Sequence, residues 1–290
     1  MELSVGGIIS KSFEMVKGRF GSLVGMWFVY FALQIALMIA LFVIMGASVG
    51  MMTNLEDPAA LGGAALGGGM ILFILVFYLG YILIYCAQTA SLNALASPLQ
   101  QLGFGDAFSV GLRSALPLLG VIVLLLIGYF IGAFAFGLVI GVLSFAGKVG
   151  AVIGALAALV LLFYLASRLS IIFPTVAVER VRNPITAIGR SWSLTKGNVL
   201  PIFLAMLVYA VIVIGLCVIV LLPVLGSFAS LASGNVGPRA AAPAFGGIAF
   251  MLVGFLVIGV FVTIFNAAMQ SVIHAQLSGS TGEDLSETFG

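Results

Sequence analysis

Arg190 to Leu222 read RSWSLTKGNVLPIFLAMLVYAVIVIGLCVIVLL. The first eight residues hold two cations and one of the chain's two tryptophans, whereas Val199 to Leu231 carries no charge. A helix needs ~20 mostly apolar residues to cross a hydrocarbon core of ~30 Å. The apolar part therefore reads as a membrane span, and the part before it as a basic boundary.

The whole chain has the same character. It is 63% hydrophobic with mean hydropathy +1.32, and its 290 residues include only 11 Lys and Arg and 9 Asp and Glu. That is too little charge to cover a water-exposed surface. Six apolar runs stand out: Phe20 to Val49, Met70 to Ala96, Ala115 to Ala146, Val149 to Phe173, Val199 to Leu231 and Phe245 to Ala275. The fold class expected is an all-α integral membrane protein with six transmembrane helices, forming one domain over residues 1–277. The first run follows Lys11, Lys17 and Arg19 without a small-residue cleavage site, so it reads as a retained span.

Charge asymmetry sets an expected orientation. With both termini on one side, Lys11, Lys17, Arg19, Arg113, Arg168, Arg180, Arg182, Arg190 and Lys196 lie on or near that side, leaving Lys148 and Arg239 opposite. By the positive-inside rule both termini are cytoplasmic.

The boundary segments repeat a pattern. Asn183-Pro184 offers an N-cap and a proline at the first helical position; Ile185, Ile188 and Trp192 share one face, and Arg190, Ser193 and Lys196 another. Gly197 supplies a left-handed stop. Near the N-terminus, KSFEMVKG (Lys11 to Gly18) follows the same plan, with Ser4 as cap, Phe13 on the apolar face, Lys11, Glu14 and Lys17 on the polar face, and Gly18 as stop. A weaker copy precedes the third span, where Phe104, Phe108 and Leu112 are four apart, Asp106 offers a cap and Arg113 precedes Pro117. Three amphipathic interfacial helices are expected, with Phe13, Phe108 and Trp192 as anchors among acyl chains. They imply a three-fold helix-pair pseudo-repeat of units at about 4–97, 104–178 and 183–277.

The stretch from Arg168 to Gly197 resembles the membrane domain of bacterial glycerophosphoryl diester phosphodiesterases and related stand-alone polytopic proteins. The likeness rests on Arg168, Pro174, Glu179, Pro184, Ala187, Arg190-Ser191-Trp192, Leu194 and Lys196-Gly197. It implies a bacterial inner-membrane module without the catalytic phosphodiesterase domain, and transfers no activity.

The inventory of reactive residues points away from catalysis. Gly46-Ala-Ser48-Val-Gly50 matches the nucleophile-elbow pattern, but it ends an apolar run far from His274, the only histidine. There is no HExxH, no Cys pair at metal spacing, no Walker loop and no dinucleotide fingerprint in a strand-to-helix context. Cys86 and Cys217 lie inside spans as small apolar residues. No enzyme activity, cofactor, metal site or nucleic-acid partner is expected.

Polar groups inside spans require partners. Arg168 either snorkels or pairs with an internal carbonyl, or else joins Arg190 in holding a lipid phosphate. Asn266, Gln270 and His274 recur every four residues in the last span and face Gln88 and Asn93 of the second, either as interhelical hydrogen-bond partners or as a polar path. Four GxxxG pairs, Gly21/Gly25, Gly128/Gly132, Gly137/Gly141 and Gly150/Gly154, offer close helix approaches. Ala59 to Gly69 and Ala229 to Gly247 read as outer loops, and 278–290 as a polar, disordered tail.

The function expected is a lipid-interacting or scaffolding module. It would bind anionic membrane lipids through Lys11, Lys17, Arg113, Arg168, Arg190 and Lys196, and meet another membrane protein through its apolar faces. A small-solute transporter or channel between the pseudo-repeats is the alternative.

Overall fold

A computed structural model describes the backbone of residues 3–52, 70–145, 147–232 and 238–289, with all their side chains except those of 45–52, 70, 227–232, 238–245, 248 and 280–289. The described residues form nine helices and no strand: α1 Val5–Gly18, α2 Phe20–Met52, α3 Met70–Ala96, α4 Phe104–Ser144, α5 Gly147–Leu169, α6 Ile172–Ala177, α7 Pro184–Leu194, α8 Val199–Ala232 and α9 Pro238–Phe289. Six segments are long and apolar enough to cross a membrane: Phe20–Ile44, Ile71–Ala96, Phe104–Ser144, Gly147–Ala177, Val199–Gly226 and Ala249–Gly279. This is an all-α, multi-pass membrane protein, because hydrocarbon offers backbone groups no partner and each span must close its hydrogen bonds internally.

Two of the three boundary segments are separate short helices with the expected caps. Ser4 Oγ accepts from Gly7 N at 3.1 Å, and Asn183 Oδ1 accepts from Ile185 N at 3.0 Å ahead of Pro184. Their ends differ. Gly197 is left-handed at φ +85°, whereas Gly18 stays helical and only Arg19 separates α1 from α2. The two Lys-Gly steps thus use different backbone devices.

The third segment is no separate helix. Phe104 to Arg113 forms the opening turns of α4, which continues through Pro117 to Ser144, and the N-cap is Gly103 without a side-chain bond, with Asp106 in the first turn. The fourth span divides at Ser170–Ile171, four and three residues before Pro174. Proline lacks an N–H and its ring crowds the carbonyl four residues back, so α5 ends there and α6 starts.

The segment expected to be a disordered tail is continuous with α9 as far as Phe289. The proposed loop Ala59 to Gly69 lies outside the described residues; Ala229 to Gly247 is largely taken up by the ends of α8 and α9. Ser48 sits in the helical backbone of α2, with its side chain outside the described set.

Tight packing is concentrated at the end of the bundle that carries the cations. On α2 the buried residues are Leu23, Met26, Trp27 and Tyr30 toward the basic end and Leu41 beyond it, while Leu33, Met38, Phe42 and Val43 are exposed. On α3, residues from Cys86 to Ser97 are buried and Ile71 to Leu79 largely exposed; on α9, burial runs from Ile264 to His274, with Leu252, Val253 and Val257 exposed. The main core joins α2, α3, α4, α6, α7 and α9, and a second cluster joins Ile8, Ile171, Ile202, Ala205, Met269 and Ile273 from α1, the α5–α6 turn, α8 and α9. The spans converge at the basic end and present bare apolar flanks beyond it.

The closest helix approach does not use the GxxxG pairs. A methyl group added at Gly21, Gly128, Gly132, Gly137 or Gly141 meets open space, one at Gly25 makes ordinary contact with Phe104 at 3.5 Å, and one at Gly154 is crowded by Ile140 at 3.1 Å. At Gly111 on α4 a methyl would collide with Ser91 Oγ, and it would meet Ala87 O of α3 at 2.5 Å and Tyr30 Oη of α2 at 2.8 Å. Ser91 Oγ and Tyr30 Oη hydrogen-bond at 2.8 Å, so Gly111 lets α4 close over a polar contact between α2 and α3. Gly111→Ala overpacks this junction and is expected to cost about 1–3 kcal/mol, read as a lower thermal midpoint in detergent; Gly132→Ala, in open space, leaves the midpoint unchanged.

Candidate functional site at the basic end of the bundle

Glu179 follows α6 in the link to α7 and is the only Asp or Glu between Asp106 and Glu283. Its carboxylate takes a forked contact from Arg190, Nε to Oε2 at 2.9 Å and Nη2 to Oε1 at 3.3 Å. His274 Nε2 donates to Oε1 at 2.9 Å. One acid thereby ties α7 and α9 to the chain leaving α6. His274 is fully buried, and its Nδ1 has no hydrogen-bond partner among the described residues. Burial pushes the Glu179 carboxyl up, but the hydrogen bonds and charges of His274 and Arg190 outweigh it, and the net shift is below the ordinary 4.5.

Arg168 is 9% exposed at the end of α5. Its Nε and Nη2 donate to Tyr164 Oη at 3.1 and 3.0 Å, and Nη1 donates to the Trp192 carbonyl at 3.0 Å. The guanidinium carbon lies 5.3 Å from the Tyr164 ring centroid and 4.9 Å from that of Trp192, within cation–π range. The Arg168 carbonyl accepts from Ser191 Oγ at 2.8 Å and Thr195 Oγ1 at 3.3 Å. Arg168 thus docks α7 against α5. Arg190 forks onto Glu179, while Arg168 contacts a carbonyl, a phenol and two ring faces, so in this structure the two arginines have separate protein partners.

The polar residues of the second and last spans are also paired. Asn93 Nδ2 lies 3.5 Å from Gln270 Oε1, and Ser271 Oγ donates to the Asn93 carbonyl at 2.9 Å. Gln88 accepts from Gln34 of α2 at 3.4 Å. Asn266 is half-buried on the same face of α9. Gln270 and His274 are therefore drawn into interhelical contacts. The larger surface cavity, about 640 Å³, is lined by Lys11, Glu14, Met15, Gly18, Arg19, Pro98, Val272, Ala275 and Gln276, and does not reach Gln270.

Lys11, Lys17, Arg113 and Lys196 are exposed. Among the anchors, Phe13 is 46% exposed and packs on Phe265 at 4.7 Å; Trp192 meets Tyr164 edge-on at 5.9 Å. Phe108 is no anchor: α4 carries it inward against Tyr30, with ring centroids 5.4 Å apart. Cys86 and Cys217 are free, and among the described residues no three His, Cys, Asp or Glu side chains gather as for a metal ion.

Sequence reasoning missed Tyr164, Gln34, Gly111 and the role of Glu179. Glu179 carried a usable signal, being a lone acid in a run of cations that includes Arg168, Arg180, Arg182, Arg190 and Lys196. Tyr164 lies four residues before Arg168, one helical turn away.

Because the folded Glu179 has a lowered pKa, its stabilisation is complete above about 4.5 and is lost as pH falls through the lower folded-state value. Glu179→Gln removes that acid-side loss and costs about 1–3 kcal/mol at neutral pH by weakening two hydrogen bonds; both effects are read from thermal midpoints of wild type and variant between pH 3 and 7.

Comparison with protein-family models, with curated proteins and with solved structures finds no match for this chain.

Proposed function

We propose that the protein is a non-catalytic module of the bacterial inner membrane, with both termini cytoplasmic, that gathers anionic lipids at its basic end and offers its bare apolar flanks to other membrane proteins. The observation that carries this reading is the division of the bundle. Packing, polar contacts and nearly all cations are gathered at one end, and the opposite halves of α2, α3, α8 and α9 expose Phe42, Ile71, Leu222 and Val253. Each cation at an anionic leaflet contributes ~1 kcal/mol, and Lys11, Lys17 and Lys196 are free to do so. Arg168 and Arg190 hold α7 in place through protein contacts.

A transport path is disfavoured by the state of its candidate residues. Asn93, Gln270, Ser271 and His274 are buried and committed to one another or to Glu179, which is what interhelical partners in a bilayer do.

The test is reconstitution into nanodiscs of phosphatidylcholine with a minor share of phosphatidylglycerol, followed by analysis of lipids retained on gentle extraction. Wild type is expected to enrich phosphatidylglycerol, and K11Q/K17Q/K196Q to lose on the order of fivefold per cation at low salt. Retained lipid matching the bulk composition would sink the reading, and solute-selective flux in proteoliposomes would replace it with the transporter.

A further inference from the structure

A second, smaller cavity lies where α4 passes the α6–α7 link, and its chemistry differs from that of the exposed lysines. It encloses about 110 Å³ and is lined by Ser109, Arg113, Ser114 and Pro117 of α4, Val176 and Ala177 of α6, and Arg180 and Arg182 of the link. We propose that this cavity binds one phosphate group, the monoester or diester of a lipid headgroup or free inorganic phosphate. The inference rests on the lipid-engaging reading only for the source of the phosphate; the site itself stands on its own geometry.

Charge is the first argument. Three arginines, each partly open to solvent, line one small space, and no carboxylate lines it. Among the described residues none of the three is in an ion pair: the acid next to them in sequence, Glu179, is taken by Arg190 and His274. A lysine or histidine in this position could shed a proton to relieve the repulsion, but a guanidinium cannot. An anion relieves it, and arginine's forked donors match the oxygens of phosphate.

Backbone geometry is the second. Arg180 has φ +58°, the only left-handed residue other than glycine among the described residues. Such a conformation costs on the order of 1 kcal/mol and persists where the surroundings impose it. The turn it makes comes between Glu179, which faces His274 and Arg190, and Arg182, which lines the cavity with Arg180 and Arg113. The Glu179 contacts and the cavity lining thus meet at one left-handed turn.

Size and neighbours complete the case. The cavity has the volume of three or four waters, enough for a tetrahedral oxyanion and far below the ~300 Å³ at which drug-sized ligands begin to fit. Ser109 and Ser114 bring two hydroxyls, neither hydrogen-bonded to protein among the described residues. Leu112 and Leu116, exposed on α4 beside Arg113, would carry acyl chains away from a headgroup seated there.

The experiment uses the full chain in zwitterionic detergent, with phosphatidylglycerol as the lipid probe in native mass spectrometry and inorganic phosphate as the soluble probe in calorimetry and thermal shift. Wild type should retain one phosphatidylglycerol per chain over phosphatidylcholine, and R113Q/R180Q/R182Q should weaken retention on the order of a hundredfold. K11Q/K17Q/K196Q should keep the one-lipid adduct while losing the broader enrichment, which separates failure of this site from failure of the general reading. R182K keeps the charge and guards against a folding defect; loss of the fork alone should weaken binding severalfold. Lipid retention without a response to inorganic phosphate assigns the site to headgroups, and a phosphate response that disappears in the triple variant assigns it to free phosphate as well. Binding of neither probe, an adduct that survives the three substitutions, or equal loss in the lysine variant would overturn the proposal.

Discussion

In hydrocarbon an unpartnered polar group costs several kcal/mol, and this cost orders the whole molecule. It keeps the backbone in continuous helices and leaves the halves of the spans away from the basic end nearly without charge. It also explains why Asn93, Gln270, Ser271 and Tyr30, which lie within spans, occur as interhelical pairs. Their contacts sit toward the basic end, where the helices also pack most closely.

At that end the same principle acts through charge. Glu179 holds Arg190 of α7 and His274 of α9, while Arg168 pulls the far side of α7 onto α5 through Tyr164 and Trp192. The short helix α7 is thereby fastened by two arginines that sequence patterning assigns to the lipid surface. Cations that look alike in the sequence divide in use: Arg168 and Arg190 tie protein to protein, Lys11, Lys17 and Lys196 are exposed, and Arg113, Arg180 and Arg182, also exposed, line a small cavity.

Glycine use follows the same separation between local pattern and actual contact. GxxxG spacing places two glycines on one helix face but does not say what that face meets. Gly111, in no such pair, is the residue that Ser91, Ala87 and Tyr30 crowd, because three helices cross there.

The sequence by itself determined the solvent, the number of spans, the polar asymmetry and the local caps, since hydropathy and side-chain capping act over distances shorter than a helix. Ser4, Asn183-Pro184 and Gly197 were legible for that reason. Only the tertiary structure decided which polar groups meet. The pairing of Glu179 with His274 joins residues 95 positions apart, and the packing of Phe108 on Tyr30 depends on α4 running without a break from Phe104. Both are set by how helices cross, which no periodicity within one helix records.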